Sequence, residues 1–306
     1  MVTSPTTAPR TRSPTTGSAS VLPGRLRPGP AQAGQPLRLS GHRNGRKLVI
    51  VCSHLDSDRH PLTDPSYVAD CRDRLARDGA LVLARLLRTE IVEQVAADAL
   101  PREPDAFYAN STHNVFLTPP DSTRATTDPF NRQVLSTKGL IADDQIADDS
   151  PLRDIYGDSD LQAFLCGVLG IDAIYPYADD VSSINVHFAA AGMELGWHFD
   201  NSSFAVTMLL QQPDDGGHFQ YVPRVRNADN MNVLLNAILD GESDAETLAF
   251  APGDLVLFRG RNALHRVTPT EGATTRLLVV FAYNDEPGIA LSDSALQTFY
   301  GRTAAP

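Results

Sequence analysis

Three cysteines are all that the 306-residue chain contains, Cys52, Cys71 and Cys166, and no two of them form a C-x-x-C pair. A disulfide framework and a zinc knuckle are both excluded by that count and spacing. Positive charge is also scarce: 26 Lys and Arg face 37 Asp and Glu, giving a formal net charge of −11, and the basic residues never gather into a stripe. Phosphate backbones are bound by clustered cations, so nucleic acid is not an expected partner. No uninterrupted apolar run is long enough to cross a bilayer, and no apolar segment follows Arg10 and Arg12. The expectation is a cytoplasmic protein with no membrane partner. No internal repeat is found.

What is present divides at about residue 40. Residues 1–40 are rich in Ser, Thr, Pro, Gly and Arg and poor in large apolar groups, so they are expected to form a disordered tail. Residues 41–306, in a chain with 42% hydrophobic content, suffice for one enzyme domain. Leu48–Val51 is a short apolar run, and Ser66–Asp78 reads as a helix stopped by Gly79. Thr89 is placed to cap a second helix, whose Ile91, Val92, Val95, Ala96 and Ala99 share a face. A third helix follows Ser159, with Leu161, Phe164, Leu165, Val168 and Leu169 at helical spacing before Gly170.

Beyond Gly170 the hydrophobic period becomes that of strands. The expected strands are Val181–Ala189, Ser203–Gln212, His218–Val222, Thr247–Phe250, Asp254–Phe258, Ala263–Val267 and Thr274–Tyr283, with a helical insertion at Met231–Leu239. Turn chemistry at Pro213–Gly217 and Pro252-Gly253-Asp254 separates them. Helices ahead of many short strands imply an α+β, mainly β fold, a sandwich or jelly roll braced by N-terminal helices.

Chemistry concentrates in this second half. His198-Phe199-Asp200 puts an imidazole and a carboxylate one residue apart, and in an extended strand both point to one face. His265, on a later strand, can be brought beside them by antiparallel pairing. Two His and one carboxylate make the facial triad of non-haem Fe(II) oxygenases, with positions left open for cosubstrate and O2. Arg276 opens the last strand, where a guanidinium can bind a carboxylate bidentately. Asn185 and His187 share a strand face that can line the same pocket. His54-Leu55-Asp56, with His60 close behind, offers similar ligand types but no comparably placed arginine; a solvated loop is the expectation there. His42, His113 and His218 have no such context.

These motifs look like one family. Gly196-Trp197-His198-Phe199-Asp200, the run Phe204–Leu210 up to Gly216-Gly217, Tyr221-Val222-Pro223, Pro252-Gly253-Asp254, Phe258-Arg259-Gly260, Leu264-His265-Arg266-Val267-Thr268-Pro269, Tyr283–Gly288 and Phe299-Tyr300-Gly301-Arg302 resemble the 2-oxoglutarate/Fe(II) oxygenases that include the lysine halogenases and related amino-acid hydroxylases. The resemblance covers residues 65–302. It implies a double-stranded β-helix of the cupin-like kind, with Fe(II) on His198, Asp200 and His265. It further implies 2-oxoglutarate and O2 as cosubstrates, with Arg276 and Asn185 binding the former. Trp197, Asn201 and Tyr300 become expected contacts of a small substrate such as a free amino acid.

Two residues depart from the halogenating, lysine-acting members. Those enzymes have a small residue where this chain has Asp200, which leaves an iron position for chloride, so hydroxylation is expected here. They also place an acid after the motif where this chain has Asn201, which argues against lysine itself. Cyclisation, desaturation and epoxidation remain alternatives within the same chemistry. A non-catalytic β-helix binding protein is a further alternative, against which the complete ligand set and Arg276 argue.

Overall fold

The computed structural model of the protein describes residues 53–303. The expected tail over residues 1–40, the run Leu48–Val51, His42 and Cys52 lie outside the described residues. Helix α1 (Pro65–Asp78) is framed as its sequence requires. The Asp64 carboxylate accepts from the backbone N–H groups of Ser66 and Tyr67, Pro65 takes the first helical position, and Gly79 ends the helix at φ 75°. Strand β1 (Ala80–Leu83) follows directly.

Helix α2 (Thr89–Ala99) corrects one expectation. Thr89 is its first helical residue; Arg88 occupies the cap position and makes no side-chain capping bond. The helix is held by the burial of Val92, Val95 and Ala99 instead, the usual case for a short helix in a protein. Strands β2 (Phe107–His113) and β3 (Val134–Ile141) come next, then the short α3 (Pro151–Tyr156) and α4 (Ser159–Leu169). Asp158 caps α4 by accepting from Leu161 N–H, and Gly170 closes it in the left-handed region.

The remainder is strand-rich: β4 (Ile184–Ala189), β5 (Leu195–His198), β6 (Ala205–Gln211), β7 (Asp215–Gly216) and β8 (Phe219–Val222) precede helix α5 (Met231–Leu239). After it come β9 (Glu246–Thr247), β10 (Leu255–Phe258), β11 (Leu264–Val267), β12 (Thr270–Glu271), β13 (Arg276–Phe281) and the closing helix α6 (Asp293–Tyr300). The strand expected at Thr247–Phe250 is reduced to the Glu246–Thr247 pairing with β8, plus one bond from Leu248 N–H to Phe219 O. Strands β1, β2, β3, β7 and β12 are not among those expected, and β5 is foreshadowed only by the extended His198–Asp200 segment.

One antiparallel sheet of eleven strands runs in the order β1-β10-β6-β13-β4-β3-β5-β11-β8-β9, with β2 also paired to β3. Strands β10 and β11 are far apart in that order, yet the Phe258 ring lies 4.9 Å from both His265 and Phe219. Only a sheet folded over on itself brings them together. The fold is a double-stranded β-helix.

Alternation then assigns the two faces. Val206, Met208, Leu255, Leu257, Leu277, Val279 and Phe281 point outward and are fully buried in the main core together with α1, α2 and α4. Each such side chain contributes about 1.5–3 kcal/mol on burial, so this helix-covered face carries much of the stability. The intervening residues, among them Asn185, His187, Thr207, Arg276 and Leu278, share the inner face and leave it polar. That division places the chemistry inside the barrel.

Candidate metal centre

Strand β5 pairs with β11 so that His198 lies directly opposite His265. Their rings are 4.2 Å apart between centroids. Asp200 is not on the strand, which ends at His198. The loop beyond is held extended by two backbone bonds, Phe199 N–H to Val115 O and Asp200 N–H to Gly260 O. The Asp200 carboxylate thereby comes 3.4 Å from His265 Nε2 and 3.8 Å from His198 Nε2. One ligand atom from each of the three residues falls within 4.8 Å of the others.

Both imidazoles are set in one tautomer. His198 Nδ1–H donates to Gly196 O at 2.7 Å and His265 Nδ1–H to Ala263 O at 3.1 Å, leaving each Nε2 lone pair aimed at the shared centre. Burial, and then the neighbouring His265, push the His198 pKa down, so this ring is neutral and ligand-competent at neutral pH. Burial works to raise the Asp200 pKa, but the two imidazoles and Lys138 outweigh it and hold the carboxyl below its ordinary value. Two nitrogens and one anionic oxygen, with an open side where Asp200 is still 21% accessible, fit a divalent iron of the facial-triad type.

Support for this arrangement reaches β3. His113 Nδ1–H donates to Asn114 O, so its Nε2 accepts from the Ser136 hydroxyl at 2.7 Å. Ser136 Oγ in turn accepts from Gly196 N–H at 3.0 Å. Gly196 is therefore held at its N–H by Ser136 while its carbonyl orients His198. Sequence reasoning set His113 aside, because nothing local links it to residue 198.

In the sequence Gly260 stands out only as part of Phe258-Arg259-Gly260, yet a Cβ at this position would overlap the Asp200 carboxylate. It is the close approach of backbone to ligand that requires glycine there.

Arg276 lies on the inner face, 6% exposed, with no carboxylate of the described residues paired to it. Burial alone pushes its pKa down, to about 10, so it remains a cation. It lines a cavity of about 200 Å³ together with Leu209, Gly217, Phe219 and Phe250. Phe219 stacks on His265 at 5.5 Å and joins this cavity to the metal centre. A buried, unpaired guanidinium is costly and calls for an anionic ligand, which suits the distal carboxylate of 2-oxoglutarate. Replacing Arg276 by Leu is expected to raise the KM for 2-oxoglutarate about tenfold or more, read from succinate formation against cosubstrate concentration. An unchanged KM would take Arg276 out of the site.

The other expected contacts are dispersed. Asn185 faces inward, but its amide donates to Ser182 O and its carbonyl accepts from Tyr300 O–H at 2.9 Å, so Asn185 and Tyr300 occupy each other inside the barrel wall. Trp197 is adjacent to His198 on a strand and so points the opposite way, into the outer cluster of Val115, Phe199, Val225 and Leu235, with Arg266 over its ring at 4.8 Å. Asn201 lies in a separate cavity with Tyr177, Ser203 and Arg261. The structure does not bring Trp197 to the metal centre.

The His54–His60 segment is more than a solvated loop. His54 bonds Asp154 at 3.0 Å, Leu55 bridges to Leu87, and His60 is buried between Tyr67 Oη at 2.6 Å and Ala84 O at 2.9 Å. These side chains are occupied in holding the chain against α1 and β1, and they form no shared centre.

A family profile described as halogenase D matches residues 63–294, more than half of the chain. The chain belongs to the halogenase D family. No curated protein matches the family member's sequence. Among solved structures it is similar to the non-heme alpha ketoglutarate dependent epimerase SnoN from nogalamycin biosynthesis, at 14% identity and a TM-score of 0.50, covering 72% of this chain and 84% of that one. It is also similar to the carbocyclase SnoK from the same biosynthesis, at 12% identity and a TM-score of 0.50, over 78% of this chain and 93% of that one. At such identities the likeness bears on the fold alone, which is the double-stranded β-helix of the 2-oxoglutarate/Fe(II) oxygenases.

Proposed function

We propose that this halogenase D family member is an Fe(II)- and 2-oxoglutarate-dependent oxygenase that hydroxylates an unactivated C–H bond of a small amino-acid-like substrate. The observation that carries the reading is the Asp200 carboxylate, 3.4 Å from His265 Nε2 and 3.8 Å from His198 Nε2. A halogenating relative is expected to leave that position for chloride; in this chain the Asp200 carboxylate would take it.

O2 would be the oxidant, with Fe(II) and 2-oxoglutarate, when bound, supplying the chemistry that places one of its oxygen atoms in succinate, with loss of CO2, and the other in the C–H bond. The chain's own residues do the positioning. His198, Asp200 and His265 would hold the metal on one side, and their backbone-fixed tautomers need no rearrangement on loading. Arg276 would receive the distal carboxylate of 2-oxoglutarate. The rings of Phe219 and Phe258 wall off His265 and exclude water from that side.

Product analysis in high chloride tests the reading. The wild type is expected to yield only oxygenated or dehydrogenated product by mass spectrometry. A chlorinated product would show that Asp200 is not on the metal during turnover and would sink the assignment. Asp200→Gly is expected to be largely inactive, since a vacated position is not by itself an anion pocket.

A further inference from the structure

Two edges of the large sheet are protected. Strand β1 is buried beside α1, and β9, at the other end of the order, is only two residues long. Strand β2 pairs only with β3 among the described residues and leaves a third edge, seven residues long. Natural sheets blunt an exposed edge with charge, proline or a bulge. Phe107–His113 contains no Asp, Glu, Lys, Arg or Pro, and its register with β3 is unbroken throughout.

Strand β3 fixes which backbone groups of β2 face that edge. Thr137 N–H donates to Glu194 O, on the β5 side, at 2.7 Å. Its neighbours Ser136 and Lys138 therefore turn toward β2, and their partners Ser111 and Ala109 turn toward β3 in return. Tyr108, Asn110 and Thr112 are left with N–H and C=O directed outward. All three residues are exposed, and none of these backbone groups has a partner among the described residues.

This edge is complementary to itself. With a second copy running antiparallel about Asn110, Asn110 faces Asn110 and Tyr108 faces Thr112 of the other copy, so every outward N–H meets a C=O. The outer face of the sheet gains too. Tyr108 is 42% exposed near one end of the strand, and Leu135, 40% exposed, lies opposite Thr112 near the other. A two-fold axis through Asn110 sets Gly139 and Tyr108 of one copy in a single row with Thr112 and Leu135 of the other, once on each side. Charge favours the same junction: two chains of net charge −11 repel each other except where the surface is neutral, as β2 is.

We propose that β2 pairs with β2 of a second copy, joining two barrels through one continuous sheet. An edge about 23 Å long makes an interface at or below the low end of the about 1,200–2,000 Å² of specific complexes, so a reversible dimer with a micromolar dissociation constant is expected.

Sedimentation velocity of the full chain at rising concentration tests this, and is expected to show monomer passing to dimer. Asn110→Pro removes an outward N–H that β3 does not use, and Asn110→Lys sets two ammonium groups against each other at the axis. Each variant is expected to weaken the dimer about tenfold or more, with folding checked by circular dichroism. Val233→Lys, on an exposed position of α5, should dimerise as the wild type does. Added salt screens the repulsion between the two chains and should tighten the dimer.

A wild type that stays monomeric overturns the proposal. So does a dimer that withstands Asn110→Lys, one that Val233→Lys abolishes, or one that salt loosens, since each places the contact elsewhere. A monomer whose amides over residues 107–113 resist hydrogen exchange would give the edge to another segment of the same chain, and would overturn it as well.

Discussion

Alanine at His265 is expected to reduce turnover to less than about one-hundredth of the wild-type rate. Loss of a residue that merely orients a metal ligand typically costs about 10–100-fold, and His265 is proposed as a ligand itself. Its Nε2 is one of three donor atoms gathered within 4.8 Å, so two would be left to hold the metal. The same outcome is expected for His198→Ala and Asp200→Ala, each with loss of bound iron measured on the purified protein. His54→Ala and Asp56→Ala are the matched controls, since those side chains bond Asp154 and Arg59 and not the residues of the centre. Near-wild-type activity and iron content in His265→Ala, or a large loss of activity in a control, would move the site elsewhere.

Gly260→Ala is the second large effect, and it removes no functional group. A methyl group there would overlap the Asp200 carboxylate, while the Gly260 carbonyl accepts from Asp200 N–H at 3.1 Å and ties the two backbones together. The carboxylate cannot retreat without breaking that bond or leaving the two histidines. Iron affinity is expected to fall about 10–100-fold, the range for residues that orient a ligand. The melting temperature of the metal-free protein should change little, because the clash is with a half-exposed carboxylate and not with the core. Full iron affinity in Gly260→Ala would show that Asp200 does not sit against Gly260 in the loaded protein.

The candidate triad was legible because its residue types and local order carry the chemistry. One residue separates His198 from Asp200, and His265 and Arg276 lie on two late strands, β11 and β13, with a strong apolar pattern. Orientation was partly legible as well: strand alternation alone sends Trp197 away from any site that His198 faces. Position on the strand was not. Asp200 follows the strand's last residue, and its direction comes from bonds to Val115 and Gly260, which are distant in sequence.

The sequence by itself determined the elements whose signals are local. Asp64, Pro65 and Gly79 bound α1, Gly170 stops α4, the apolar period defines α5, and alternation marks β6, β10, β11 and β13. Tertiary structure alone decided β2 and β3. Phe107–His113 ends in four polar residues and is nowhere fully buried, so it has no alternating hydrophobic pattern to read, and it is a strand because β3 supplies its hydrogen bonds. It also decided what surrounds Lys138, Gly260, Ser136 and His113. A side chain inside a folded-over sheet takes its surroundings from whichever strands lie beside it, and Lys138, Ala189 and Arg276 become neighbours only when three strands far apart in the chain pair in register. Pairing of that range is set by the burial of the whole outer face, where Val206, Leu257 and Leu277 pack under the helices, and no local window of sequence contains that information.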